Sequence, residues 1–194
     1  MCRRLLCYGD SNTYGYDPRS YLGGRYPKSV RWTALLDAEG WEVINQGENG
    51  RSIPQLDQEI KTAVQTILSA KTEAAVIMLG SNDLLQCPGL NAENCSGRME
   101  RFLTSLLAGT PAAPKIVLVA PPPMEPGAWV SSPKTIEVSR QLAGCYEAVA
   151  HRLGIAFADA GAWDVRLAYD GVHFSEEGPL AFAKGIQATL RNLL

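Results

Sequence analysis

Leu5-Leu6-Cys7-Tyr8-Gly9-Asp10-Ser11-Asn12-Thr13 is an apolar run that breaks abruptly into turn and cap residues. Such a run, ended by Gly and followed by Asp-Ser-Asn-Thr, predicts a buried strand leading into a helix N-terminus. Ser11 then stands at the tip of the strand. The N–H groups of the following turn, backed by the positive end of the helix dipole, face whatever binds there. A serine in this place is either a helix cap or a nucleophile whose own N–H can also hold an oxyanion.

Outward from this stretch, strand-like and helix-like segments alternate. Strands are predicted over Leu5–Tyr8, Trp41–Asn45, Ala74–Leu79, Lys115–Ala120 and Ile155–Ala158. Residues 74–79 and 115–120 are apolar almost throughout, as strands covered on both faces are. Helices are expected over roughly 29–39, with Val30, Ala34 and Leu35 on one face, and from Ser52 through Leu68. Others are expected over about 98–107 and 134–153, and through Phe182, Ile186, Leu190 and Leu193. Five strands alternating with helices define an α/β fold, a three-layer doubly wound parallel sheet with right-handed crossovers. No internal repeat or linker divides residues 1–194, so one domain is expected.

The chain has 194 residues, a net charge of −2 and 20% charged residues. No basic block suggests a nucleic-acid surface. No apolar run is long enough to span a membrane, and no signal-peptide pattern opens the chain. A cytoplasmic protein is expected, and the composition is compatible with a homo-oligomer. Cysteines at 2, 7, 87, 95 and 145 form no C-x-x-C pair and have two histidines for company, which argues against a zinc site or a disulfide framework. Cys7 and Cys145 are expected in the core. Cys87 and Cys95 flank a turn and could meet, but reduced thiols are expected.

Ligands of such sheets bind beyond the carboxyl ends of the strands. Ser11, Asn49 and Gly50, Asn82 and Asp83, and Asp170 and His173 all fall after strand ends. Together they can supply a serine acyl-transfer site. A serine hydroxyl needs a base. His151 lies in the last turn of a predicted helix, where an imidazole favours the dipole, and is expected on the surface. His173 follows Asp170 by three residues in a turn, so that the carboxylate can fix the ring's tautomer. Backbone N–H groups of Ser11 and Gly50 and the side-chain amide of Asn82 are candidate oxyanion donors. Asn82 could equally be a turn residue satisfying its own backbone.

Gly9-Asp10-Ser11-Asn12-Thr13, Gly50, Gly80-Ser81-Asn82-Asp83 and Asp170-Gly171-Val172-His173 occur in the order seen in the SGNH (GDSL-type) hydrolases, which the whole chain resembles. The resemblance implies a flavodoxin-like sheet and a serine esterase with no cofactor and no metal. It implies Ser11 as nucleophile, His173 as base, Asp170 as its orienting acid, and Ser11, Gly50 and Asn82 as the oxyanion hole. Arg31-Trp32-Thr33, Pro121-Pro122-Pro123 and Asp170 to Phe174 look most similar to the arylesterase and acyltransferase branch. That branch implies acyl transfer beside the hydrolysis of a small-molecule ester. Asn12 stands where many members carry Leu, and is expected to alter the pocket wall without touching the triad. Tyr14 and Tyr16 replace tryptophans of the closest acyltransferases, which makes the approach less apolar. The loops 87–97 and 124–133, with Trp129, are expected to wall a short pocket suited to acetyl to butyryl groups. The alternatives are a carbohydrate O-acetylesterase and, in another class, a non-catalytic module that binds an anion at the Ser11 helix end. No nucleotide-binding glycine motif supports the latter.

Overall fold

The computed structural model describes residues 3–20, 22–109 and 113–193. Cys2 lies outside them. Five parallel strands, β1 (Arg3–Gly9), β2 (Trp41–Gly47), β3 (Ala74–Met78), β4 (Lys115–Ala120) and β5 (Ala156–Asp159), pair in the order β2-β1-β3-β4-β5. This is the flavodoxin-like order. The chain runs from β1 to one side and then crosses back to β3, so the switch point lies between β1 and β3.

Strand periodicity divides the apolar residues between two layers. Leu6, Tyr8, Ala75, Ile77, Ile116 and Leu118 pack with Ile60 and Ile67 of α3 (Asp57–Ser69), Phe102 and Leu106 of α5 (Ala92–Ala108), and Leu142 and Tyr146 of α6 (Pro133–Leu153). Leu5, Cys7, Val76, Met78, Val117 and Val119 pack instead with Trp32 and Leu36 of α2 (Trp32–Ala38) and Phe182 and Ile186 of α7 (Gly178–Leu193). Burying such a side chain contributes about 1.5–3 kcal/mol, so the two layers hold the strand ends to which the polar residues are attached.

Several boundaries differ from those expected. The turn Pro27–Arg31 delays α2 to Trp32, and its buried face is Trp32, Thr33 and Leu36 in place of Val30 and Ala34. Helix α3 begins at Asp57, because the Glu59 carboxylate accepts from the N–H groups of Gln55 and Leu56 at 3.0 Å and closes the helix end there. Leu56, inside the span expected to be helical, precedes the helix and is 67% exposed. Helix α5 starts six residues earlier than expected, since Asn91 caps it through the N–H of Asn94 at 2.8 Å. The turn read at Gly80–Asp83 opens a helix, α4 (Ser81–Gln86), missed in the sequence. Cys7 and Cys95 are buried and Cys145 is half-buried; the four described cysteines are unpaired.

Candidate active site

Ser11 opens α1 (Ser11–Tyr14) at the carboxyl end of β1. The capping role falls to Asp10, whose carboxylate accepts from the Asn12 N–H at 2.9 Å. The Ser11 hydroxyl is thereby free for another partner. That partner is His173, whose Nε2 lies 2.9 Å from Oγ. On its other side, Nδ1 lies 2.7 Å from Oδ2 of Asp170. An Nδ1–H donated to the carboxylate leaves the Nε2 lone pair facing the serine O–H, the tautomer a general base requires. All three residues are buried, Asp170 completely.

Local hydrogen bonds explain why Asp170 can reach the ring. Its Oδ1 accepts from the N–H groups of Val172 and His173, both at 2.9 Å, a side-chain turn that folds residues 170–173 into a tight loop. Gly171 takes φ +81° and lies so close to the Glu125 carbonyl that a Cβ would collide with it, a place open to Gly alone. Burial by itself raises the Asp170 carboxyl. The His173 ring and the two N–H groups outweigh it and hold the group below its ordinary value. The carboxylate is therefore ionised and able to stabilise an imidazolium. Tyr16 lies against the His173 ring with centroids 4.6 Å apart, and Trp129 meets it edge-on at 4.8 Å.

The expected oxyanion donors belong to two neighbouring strand ends. Gly50 sits in the turn after β2 with φ +76°, and its N–H has no acceptor among the described residues. Asn82 is in the first turn of α4, and its amide donates to the Arg51 carbonyl at 3.0 Å. Gln86, one helical turn on, donates to the Gly50 carbonyl at 3.3 Å. The Arg51 guanidinium then ties this turn to the nucleophile's strand, donating to Gly9 O at 2.9 Å and also to Gln46 O. Asp83, expected near the site, is instead buried beneath it. It receives the Ile53 N–H at 2.9 Å and Arg98 at 3.0 Å, and so fixes the segment after Gly50. His151 is exposed in the last turn of α6, as expected.

Two residues carry roles that differ from expectation or were missed. Asn12, expected to alter the pocket wall without touching the triad, is buried and hydrogen-bonds to the loop bearing His173. Arg51 was missed in the sequence; its position directly after Gly50 was the available signal.

A cavity of about 300 Å³ lies beside Trp129, on the far side of that ring's contact with His173. Leu84 and Leu85 of α4, Leu90, Trp129, Val130 and Val138 make its apolar wall, and Ser131, Ser132, Lys134 and Thr135 its polar one. Trp129, part of its wall, touches His173, and α4, which supplies Leu84 and Leu85, carries Asn82, but none of Ser11, Gly50, Asn82, Asp170 and His173 lines it. Both loops contribute to the wall of this cavity, which lies beside Trp129 and does not include Ser11. Among the described residues no His, Cys, Asp and Glu cluster could hold a metal ion, and no helix is long and apolar enough to cross a membrane.

A five-stranded parallel sheet that brings Ser11, His173 and Asp170 into one hydrogen-bonded chain beyond its strand ends is the frame of an α/β hydrolytic enzyme. The GDSL-like lipase/acylhydrolase family model matches residues 7–179, and the chain belongs to that family. It is a carboxylic-ester hydrolase, as its structural neighbours are. It is similar to a candidate arylesterase from Agrobacterium tumefaciens, 30% identical with TM-score 0.87, over 99% of this chain and 100% of the other. It is similar to the aryl esterase of M. smegmatis, 26% identical with TM-score 0.84, and to a carbohydrate acetylesterase from Sinorhizobium meliloti, 28% identical with TM-score 0.82. Each of these alignments covers 99% of this chain and 100% of the other. No curated protein matches the sequence. Membership of an enzyme family displaces the anion-binding module as an account of the Ser11 helix end.

Proposed function

We propose that this protein hydrolyses short-chain esters through an acyl-enzyme on Ser11. The observation that carries the proposal is the unbroken chain from Ser11 Oγ to His173 Nε2, at 2.9 Å, and from Nδ1 to Asp170, at 2.7 Å. Ser11 Oγ attacks the ester carbonyl while His173 takes its proton, and Asp170 stabilises the imidazolium. The carbonyl oxygen becomes an oxyanion held by the N–H groups of Ser11 and Gly50 and the second N–H of Asn82. Collapse expels the alcohol, which leaves with the proton from His173. Water, activated by the same imidazole, then adds to the acyl-enzyme and frees the acid. Each donor of this kind is typically worth about 3–4 kcal/mol in the transition state.

The cavity lies at the small end of the range for ligand pockets, which suits acetyl to butyryl groups with small alcohols or phenols. The Ser131, Ser132 and Thr135 hydroxyls along it favour a second substrate class, acetylated carbohydrate, in keeping with the likeness to the Sinorhizobium acetylesterase. Acyl transfer to an alcohol in place of water uses the same acyl-enzyme. Unpaired cysteines among the described residues fit a reducing compartment, so the cytoplasm is the proposed location.

The test is Ser11→Ala, assayed with p-nitrophenyl acetate and with a serine-directed fluorophosphonate. Hydrolysis and labelling should both disappear, with circular dichroism unchanged. Turnover at near wild-type rate in the folded variant would overturn the nucleophile assignment.

A further inference from the structure

The loop that carries His173 is rigid in itself. Ala168 N–H donates to the His173 carbonyl at 2.7 Å, Gly171 N–H to Ala168 O at 3.0 Å, and Ser175 N–H to Arg166 O at 2.9 Å. Its neighbours Val172 and Phe174 are buried in opposite layers of the core. Apolar packing of this kind sets how deep the loop sits. It is non-directional and does not set the ring's position to a few tenths of an ångström. Directional contacts between the loop and the nucleophile's segment can do that.

Asn12 supplies them. Its Nδ2 donates to the Val172 carbonyl at 3.1 Å, and its Oδ1 accepts from the Phe174 N–H at 2.9 Å. The two bonds bracket His173 in the chain. The partners also fix which way the amide faces, since a carbonyl can only accept and an N–H only donate. The Asn12 backbone is held as well. Its N–H is bonded to Asp10, and its carbonyl accepts from Trp32 Nε1 at 3.0 Å. Tyr26 braces the far side, its hydroxyl donating to Phe174 O at 3.2 Å. Because Asn12 directly follows Ser11, any shift of the loop against the amide is a shift of His173 Nε2 against Ser11 Oγ.

We infer that Asn12 is a positioning residue, a two-point strap that sets the distance between Ser11 and His173. The inference rests on the proposed roles of those two residues. Leu at this position has the same branching and number of side-chain heavy atoms, is bulkier, and can make neither bond, so a chain with Leu there must seat its histidine by other contacts. Misplacement of a reacting group by about an ångström costs on the order of 10²-fold in rate.

The experiment compares wild type with Asn12→Leu, which removes both bonds, and Asn12→Asp, which keeps the acceptor for Phe174 and loses the donor. With p-nitrophenyl acetate, kcat should fall about 10²-fold in N12L and about tenfold in N12D, with KM within about threefold. Proton NMR gives a second readout that needs no substrate. The low-field His173 Nδ1–H resonance, visible in wild type, should broaden or vanish in N12L through faster exchange with water. An N12L enzyme with wild-type kcat and an unchanged resonance would overturn the inference. So would a loss confined to KM, which would make Asn12 a substrate contact, or a failure of both variants to fold, which would make it a core residue alone. If wild type hydrolyses no ester, the esterase reading fails, and the resonance still decides whether Asn12 straps the histidine.

Discussion

The side chain of Asn82 and the backbone of Arg51 share a hydrogen bond of 3.0 Å. One N–H of the amide is thus committed to holding the Gly50 turn, and one is left for a substrate. Asn82→Ala should lower kcat about 10²–10³-fold with little change in KM, as expected of a donor that acts mainly in the transition state. Steady-state kinetics on p-nitrophenyl acetate check this. A rise in KM alone would place Asn82 in substrate binding.

The two histidines should separate cleanly. His173→Gln should remove hydrolysis, whereas exposed His151→Gln should leave both the rate and its pH profile in place. In wild type the rate should fall on the acid side, because a protonated imidazole has no lone pair with which to take the serine proton. Rate profiles of the two variants decide between them, and the reverse pattern would exchange their roles.

Burial pushes the Asp10 carboxyl up to about 6, against the opposing Asn12 N–H and the nearby His173 and Arg51. A folded-state value raised above the unfolded one favours the fold at low pH, and this contribution is lost as pH rises from about 4 through 6. Asp10→Asn retains an acceptor for the Asn12 N–H and has no proton to lose. Relative to this variant, wild type should lose stability across that window, by at most about 3 kcal/mol. Urea midpoints at pH 4, 5, 6 and 7 measure the difference. A constant difference, or one of opposite slope, would show that Asp10 ionises without cost.

Substrate length should follow the cavity. An acyl group gains roughly 0.8 kcal/mol for each methylene it buries, and a cavity of about 300 Å³ runs out of wall early. At equal concentrations below micelle formation, p-nitrophenyl acetate or butyrate should be turned over faster than the decanoate, with a sharp fall beyond about six carbons. Trp129 is 55% exposed and forms one side of this wall, so Trp129→Ala should flatten the preference. Faster hydrolysis of the decanoate by wild type would indicate a lipase or thioesterase.

The strand pattern and the grouping of Ser11, His173 and Asp170 were legible in the sequence for a physical reason. Buried parallel strands such as 74–78 and 116–120 are uniformly apolar, and the candidate site side chains fall after strand ends, where polarity returns abruptly. Helix starts were less legible because they depend on which side chain closes the backbone. Glu59 and Asn91 moved two of them by their own hydrogen bonds. Asn12 was read as pocket wall, since its role depends on partners some 160 residues away. Arg51 was missed for the same reason. Its contacts to Gly9 and Asn82 join three strand ends that only the fold brings together.

The Trp129 segment and the Asp170 loop are knitted by backbone bonds. Trp129 N–H donates to Asp170 O, Ala128 N–H to Tyr169 O and Glu125 N–H to Gly171 O, at 3.0–3.2 Å, while Gly127 and Gly171 allow the two chains to touch. The wall proposed to select the acyl group is thus stitched to the residue proposed to orient the base. On the proposed reading, specificity and catalytic power are not separate modules in this enzyme. A transplant of residues 124–133 from a relative, made to change the substrate, must bring its own partner for residues 168–171. Without it, the graft would trade turnover for a new pocket.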